Sequence, residues 1–229
     1  LVALTTDSSG NLTHTQPGVE GTVKVLGTVA GGQVATVMSL SSPDVEDSSG
    51  NTVGGAGLSI PAGTTLRTAT GAAAANGPVT ASVVSFSSSS PTALQAFPGG
   101  FAVTVGGSGP GTGTGVFTSG GFAAFNLTDA QGNAIKSFDS PITATIALSD
   151  TLINEDTGLP VAVGDPLPVY SYDETTARWT KENSGIVSRD AQGKLVLTFS
   201  SNHLSYWNMD WYSSAVCTCL LYTSDAADE

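Results

Sequence analysis

The residues of this chain best suited to chemistry lie in the stretch His203-Leu204-Ser205 near its C-terminal end. A serine hydroxyl can attack the carbonyl of the peptide bond before it, and a histidine two residues earlier can accept the hydroxyl proton. The result would be self-cleavage between Leu204 and Ser205 through an ester. The reaction also needs a strained peptide and a donor for the oxyanion, which the sequence does not display.

A structural interpretation of the same stretch stands beside the chemical one. His203–Asp210 has the composition of a β-strand, in which Tyr206 and Trp207 would pack on opposite faces. His203 would then be a hydrogen-bonded strand residue, with Asn202 or Asp210 as the partner that orients its imidazole. Both interpretations remain open from the sequence.

Three tryptophans, Trp179, Trp207 and Trp211, offer a second kind of site. Exposed indole rings could form a platform on which a sugar stacks, as in a carbohydrate-binding module. Aromatic residues in strands are more often part of the core. Exposure of the three rings decides between a sugar platform and a core.

Other sites for cofactors, metals or nucleotides are not indicated. The chain has only His14 and His203, no His-Glu-x-x-His, no Gly-x-Ser-x-Gly elbow and no phosphate-binding loop. Cys217 and Cys219 cannot close a zinc site by themselves. The expectation is a non-enzymatic protein without cofactor or metal.

Composition limits the partners and the surroundings. The 229 residues carry a net charge of −12 with a pI of about 4.2, which disfavours contact with nucleic acid and anionic membranes. No apolar run reaches the length of a membrane helix. Acidic chains poor in lysine and rich in serine and threonine are common outside cells, so an extracellular or cell-surface location, in a bacterial envelope, is expected.

Strand signals recur along the whole chain and predict an all-β fold. Val79–Phe86 and Ile142–Leu148 are rich in β-branched residues with alternating pattern, and the 28 glycines and 11 prolines punctuate short apolar runs. The spacing predicts a mostly antiparallel two-sheet β-sandwich with little or no helix. Tyr170 and Tyr172 should share one face of a hairpin, with Trp179 opposite.

One turn formula, Asp-x-x-Gly followed by Asn or Lys, occurs at Asp7, Asp47, Asp129 and Asp190. The aspartate can accept hydrogen bonds from the backbone ahead of it, and the glycine supplies a positive φ. These segments lack the further carboxylates of a calcium loop. They are predicted to be hairpin turns.

The chain divides into three parts in this interpretation. Residues 1–51 would be a small β segment or the end of a preceding domain, 52–211 the β-sandwich domain, and 212–229 an unstructured tail. The last residues, 219–229, read CLLYTSDAADE and resemble a translated sequencing adapter. They should add nothing to the fold.

A series of short motifs in the second part resembles a known type of β domain. The motifs are LSIPAGTTL at 58–66, ALQAFPGGF at 93–101, GGFAAFNLTDAQGNAI at 120–135, VYSYDETTARWTKE at 169–182 and HLSYWNMD at 203–210. Their order is similar to that in a domain of cartilage intermediate layer protein and of many bacterial surface proteins. IPAGT is also similar to the start of ZU modules, and His-Leu-Ser is similar to the cleavage motif of GAIN domains. The β domain of the first resemblance usually has Phe between this His and Ser, where Leu204 stands here.

The resemblance implies a β-sandwich on the outside of a cell and supplies no ligand. We therefore expect an extracellular or cell-surface structural or adhesive module, with self-cleavage at Leu204–Ser205 left open. Its partner would be an extracellular protein or a glycan. The alternative is a carbohydrate-binding module of a larger secreted protein.

Overall fold

The computed structural model describes residues 5–6, 12–13, 18–108 and 112–214. The chain is all-β with almost no helix, which confirms the coarse expectation of the fold class. One helical turn, α1, covers Pro91–Leu94. Within the described ranges no helix is both long and apolar enough to cross a membrane. Cys217, Cys219 and the adapter-like segment lie outside the described residues.

The first half of the described chain contains mostly short strands, β1 to β10. They are β1 (Thr5–Thr6), β2 (Leu12–Thr13), β3 (Val19–Ala30), β4 (Gln33–Val34), β5 (Met38–Ser41), β6 (Val45–Glu46), β7 (Thr52–Gly54), β8 (Ala56–Ile60), β9 (Leu66–Thr68) and β10 (Gly77–Phe86).

The second half contains the longest strands of the described chain. They are β11 (Ala102–Val105), β12 (Gly113–Thr128), β13 (Ala134–Ala147), β14 (Ile153–Asn154), β15 (Leu159–Pro160), β16 (Pro166–Leu167), β17 (Val169–Asp173), β18 (Arg178–Lys181), β19 (Gly185–Arg189), β20 (Leu195–His203) and β21 (Tyr206–Ser214).

Fifteen of these strands belong to one continuous sheet. One half runs β3-β10-β12-β21-β17-β18, and the other runs β5-β8-β13-β20-β19-β16. The halves are joined where β12 and β13 pair at Leu127–Ile135 and Thr128–Ala134. The strands therefore do not separate into two sheets, although nearly all described pairings are antiparallel, as expected.

Five strands of the sheet close into a small barrel. β12, β21, β17 and β18 pair in sequence, and β11 pairs with both β12 and β18. The β11–β18 contact is parallel and joins Val105 to Trp179, next to a hydrogen bond of 2.7 Å from Gly106 N–H to the Trp179 carbonyl. This short contact completes the ring.

Two hydrophobic cores result from this arrangement. The larger core combines side chains from both halves of the sheet, such as Phe125, Ile146, Leu197 and Trp207. The smaller core is aromatic and includes Phe117, Tyr170 and Trp179 from the barrel strands. Because successive strand residues point to opposite faces, β12 and β21 contribute to both cores.

The motif Phe97-Pro98-Gly99-Gly100 has a structural role in the smaller core. The Phe97 ring stacks on Trp179 at a centroid distance of 5.0 Å and meets Phe122 edge-on at 5.1 Å. The Trp179 indole N–H donates to the Pro98 carbonyl at 3.4 Å. Gly99 and Gly100 have φ of 77° and 71°, a backbone that other residues rarely adopt, and Phe101 after them stacks on Phe97 at 4.9 Å.

Within residues 1–51, strands β3, β4 and β5 belong to the main sheet. β3 pairs with β10 from Val19 opposite Phe86 to Val29 opposite Gly77, and β5 pairs with β8. Val29, Val34 and Met38 are buried in the larger core. The proposed boundary near residue 51 stays a prediction.

The Asp-x-x-Gly turns are confirmed wherever the structure describes them. At Asp47, Asp129 and Asp190 one carboxylate oxygen accepts from the backbone N–H groups two and four residues ahead, at 2.8–2.9 Å. The glycines of these turns have φ of 78°, 82° and 83°. The turn at Asp7 lies outside the described residues.

Asp129 differs from the other turn aspartates because it also binds a distant segment. It is buried, and its second oxygen accepts from the Ala75 N–H at 2.9 Å and the Asn133 side-chain amide at 3.0 Å. Burial raises the pKa of the Asp129 carboxyl, but these hydrogen bonds outweigh it and hold the pKa at about 2. Its stabilising contribution is therefore present above the unfolded-state pKa and is lost as the pH falls toward 2.

Asp129→Ala should lower the free energy of unfolding by about 2–3 kcal/mol, because buried N–H groups lose their acceptors. The matched control is Asp190→Ala, which removes the same turn bonds but no bond to a distant segment. Urea unfolding of both variants measures the difference. Equal losses would show that the Ala75 contact contributes nothing.

Candidate functional site

The stretch His203-Leu204-Ser205 is a connection between two strands. β20 ends at His203, Leu204 and Ser205 form the link, and β21 begins at Tyr206. The expected single strand over His203–Asp210 is therefore wrong at its start. β20 pairs with β13 and β21 pairs with β12 and β17, so the link carries the chain from one half of the sheet to the other.

Leu204 fixes the link to the interior. Its side chain is buried in the larger core, and its N–H donates to the Lys136 carbonyl at 2.9 Å. The hydroxyl of Ser201 donates to the His203 carbonyl at 2.9 Å and accepts from the His203 N–H at 3.1 Å. The backbone groups that lead into Leu204 are thus hydrogen-bonded.

The Ser205 hydroxyl is bonded twice to the backbone of Tyr172. It donates to the Tyr172 carbonyl at 2.7 Å and accepts from the Tyr172 N–H at 2.9 Å. Tyr172 opposes Tyr206 in the last pair of the β17–β21 ladder. The hydroxyl therefore satisfies both polar groups of one residue of β17 and attaches that strand to the link. Below, this pair of bonds is called the Ser205 clamp.

The imidazole of His203 points to a different partner. Its Nε2 lies 3.2 Å from Glu182 Oε1, which also accepts from the Ser171 hydroxyl at 2.7 Å. The hydrogen bond with His203 lowers the pKa of Glu182, burial opposes this effect, and the Ser171 bond adds to it. The imidazole also packs against Trp207 at a centroid distance of 5.0 Å.

Glu182 is the orienting partner that the sequence interpretation missed. Asn202 and Asp210 were the expected partners, but Asn202 is exposed and Asp210 is bonded to Asn208 in the interior. The contact between Glu182 and His203 is a long-range one, because the two residues are 21 positions apart and meet only when β17 and β18 fold against the link. A single sequence does not display such a pairing.

The Ser205 hydroxyl and the His203 imidazole have separate hydrogen-bond partners at the link. The Ser205 hydroxyl hydrogen bonds to Tyr172, and no bond joins it to His203. Within the described residues the only non-glycine residue with a positive φ is Ala177, and no peptide bond is cis. Leu204 and Ser205 thus have neither a positive φ nor a cis peptide bond.

A pocket opens beside the link. Its walls include the half-buried rings of Tyr172 and Tyr206 and the ion pair between Lys136 and Glu174, whose charged atoms lie 3.8 Å apart. Both charged side chains are well exposed, so this pair contributes little to stability. Burial raises the pKa of Tyr206, as do Glu174 and Tyr172 to a smaller extent. The two tyrosines meet edge-on at 6.4 Å.

The three tryptophans do not form a surface platform. Trp179 lies in the smaller core, and Trp207 and Trp211 lie in the larger one, with exposed fractions of 1%, 2% and 4%. A sugar has no access to a ring face on any of them. The sugar platform expected from these residues is therefore wrong, because alternation along β18 and β21 directs the rings inward.

A buried polar pair lies on the opposite face of β21 from these rings. Asn208 and Asp210 are both fully buried, and the Asn208 amide donates to one oxygen of Asp210. The Asn208 side-chain oxygen has no partner within the described residues. The Ser119 side chain and the Gly120 N–H also lie near the Asp210 carboxylate. Burial raises the pKa of Asp210 well above its ordinary value, and the hydrogen bond from Asn208 offsets only part of the rise.

Neither a metal site nor a known relative points to a function for the described residues. In the described part of the chain, no three His, Cys, Asp or Glu side chains are grouped so as to hold a metal ion. No family model, no curated protein and no solved structure matches the chain.

Proposed function

We propose that this chain is a non-enzymatic structural or adhesive β module of a secreted or cell-surface protein. The Ser205 clamp carries the proposal, because the one hydroxyl placed to attack its own chain is bonded in both directions within the fold. Glu182, and not Ser205, is the hydrogen-bond partner of His203. The groups suited to chemistry at this site thus serve to join strands.

The surface location rests on charge and on the resemblance of the motifs. A net charge of −12 with only 7 lysines and arginines favours a partner that is neutral or basic, such as an extracellular protein or a glycan. In this proposal the two halves of the sheet act as the facing layers of a sandwich, with the larger core between them. The barrel formed by β11, β12, β17, β18 and β21 closes one layer on itself.

Chain integrity tests the proposal. Purified protein analysed by denaturing electrophoresis and intact mass should be a single chain of 22.9 kDa. Two fragments meeting at Leu204–Ser205, which become one chain in Ser205→Ala, would show that the link is a processing site.

A further inference from the structure

The pocket beside the link has the size and the lining of a small-ligand site. It encloses about 550 Å³, which is within the usual range of ligand pockets, and it combines aromatic, hydroxyl, amide and charged side chains. Leu204 and Ser205 both line it, and the core contact of Leu204 and the Ser205 clamp fix this part of the backbone. A ligand would therefore meet walls that are already in place.

Two tyrosine rings form an accessible aromatic wall of this pocket. Ladder pairs join Ala124 to Tyr206 and Tyr206 to Tyr172, which places the three side chains on one face of the sheet. Both rings are half-buried, and neither hydroxyl has a hydrogen-bond partner within the described residues. Unlike the three tryptophan rings, these two rings are open to a ligand.

Each charged side chain that lines the pocket already has a partner. Lys136 lies 3.8 Å from Glu174, and Glu182 lies 3.2 Å from the His203 imidazole. The Asp173 carboxylate accepts hydrogen bonds from its own turn. A ligand with a net charge would compete with one of these partners, whereas a neutral polar ligand would not. The lining therefore favours a neutral ligand.

Glu182 is held as an oriented acceptor in this pocket. Its Oε1 accepts from the Ser171 hydroxyl and lies beside His203, while its Oε2 has no partner within the part of the chain that the structure describes. A carboxylate oriented by neighbouring groups loses little further freedom when it binds a donor. Hydrogen bonds to an ionised acceptor are also stronger than neutral ones. Oε2 thus offers a strong acceptor to a ligand hydroxyl.

A peptide cannot add as a further strand where the two tyrosines lie. Tyr172 is paired with Trp179 on one side and with Tyr206 on the other, and Tyr206 is paired in turn with Ala124. A ligand must therefore be recognised by side chains and not by backbone ladder bonds. Aromatic rings beside hydroxyl, amide and carboxylate groups match a sugar, which has apolar C–H faces and hydroxyl edges.

We propose that this pocket binds a neutral sugar unit of a glycan, with a face of the sugar against Tyr206 and a hydroxyl on Oε2 of Glu182. The inference rests on the function proposed above, since it names a glycan as the partner of that module. It places the sugar beside the link and not at the three buried tryptophans.

A glycan array probed with the full chain at physiological salt tests the proposal. The array carries neutral gluco-, manno- and galacto-configured oligosaccharides, N-acetylated oligosaccharides, and an arginine-rich peptide as the competing class. The unchanged chain should bind at least one neutral glycan, and the same glycan in solution should compete. Glu182→Gln and Tyr206→Leu should each weaken this binding on the order of tenfold, since one loses the ionised acceptor and the other the ring.

Asn126→Ala and Asn202→Ala form a matched pair of controls, because both asparagines are exposed and only Asn126 lines the pocket. Asn126→Ala should weaken binding a few-fold, and Asn202→Ala should leave it unchanged. Melting curves show whether each variant is folded.

Three results would overturn the proposal. They are binding to no neutral glycan, binding to the arginine-rich peptide alone, and folded variants of Glu182, Tyr206 and Asn126 that bind as tightly as the unchanged chain. An intact chain that binds no glycan would overturn this inference alone. A chain cut at Leu204–Ser205 would instead overturn the function proposed above.

Discussion

Trp179→Ala should lower the free energy of unfolding by about 3–5 kcal/mol, the usual cost of removing a fully buried indole. The ring contacts Phe97 at 5.0 Å, Tyr172 at 5.1 Å and Phe117 at 5.7 Å between centroids. Its backbone also forms the ladder pair with Val105 that joins β11 and β18 and closes the barrel. Such a loss is a large part of the 5–15 kcal/mol of a typical domain. Chemical denaturation, monitored by tyrosine and tryptophan fluorescence, measures this loss of unfolding free energy.

Two variants make the Trp179 result interpretable. Trp179→Phe keeps a ring in the smaller core and loses only the bond to Pro98 and some volume, so it should cost much less. Val163→Ala, at an exposed position, should change almost nothing. If Trp179→Ala were as stable as Val163→Ala, the aromatic core would not be what holds the barrel together.

Asp210→Asn should make the protein more stable at pH 8 while leaving it nearly unchanged at pH 4. The pKa of Asp210 is raised in the folded state by burial, so its favourable contribution is complete below the unfolded-state pKa and is lost as the pH rises through the folded pKa. The carboxamide of the variant does not ionise, so the variant does not lose stability as the pH rises. The difference in unfolding free energy should grow with pH by at most about 1.4 kcal/mol per unit.

The structure around Asp210 explains why no other group cancels this effect. The groups that hydrogen bond to Asp210, namely Asn208, Ser119 and the backbone of Gly120, are uncharged, and Tyr170 is a titratable group that feels its charge. Burial raises the pKa of Tyr170 to about 12, so it stays neutral over this range. Glu155→Gln, at an exposed position, is the control and should leave the pH profile parallel to that of the unchanged chain. A parallel profile for Asp210→Asn would show that the pKa of this carboxyl is not raised in the folded protein.

Local features of the fold could be predicted from the sequence. The turns at Asp47, Asp129 and Asp190 follow from a carboxylate and a glycine at fixed spacing, and they fold as expected. The hairpin that places Tyr172 opposite Trp179 was also predicted and is confirmed. These features depend on residues close together in the chain, where side-chain chemistry and alternation decide the outcome.

Long-range features could not be predicted in the same way. The barrel closes through a single pair between Val105 and Trp179, and no local pattern encodes it. The partners of His203 and Ser205 lie 21 and 33 residues away. The tryptophans face inward because they lie on the buried face of their strands. Which face of a strand is buried depends on how all the strands are arranged.

The central claim, that the Ser205 hydroxyl is a structural clamp and not a nucleophile, is tested most directly by trapping an ester. An N-to-O shift at Ser205 would create an ester that neutral hydroxylamine cleaves, whereas an amide bond resists brief treatment. The folded protein is incubated with hydroxylamine, denatured, and its intact mass is measured beside that of Ser205→Ala. We predict one uncleaved chain in both samples. Fragments 1–204 and 205–229 from the unchanged chain, absent from Ser205→Ala, would contradict the account.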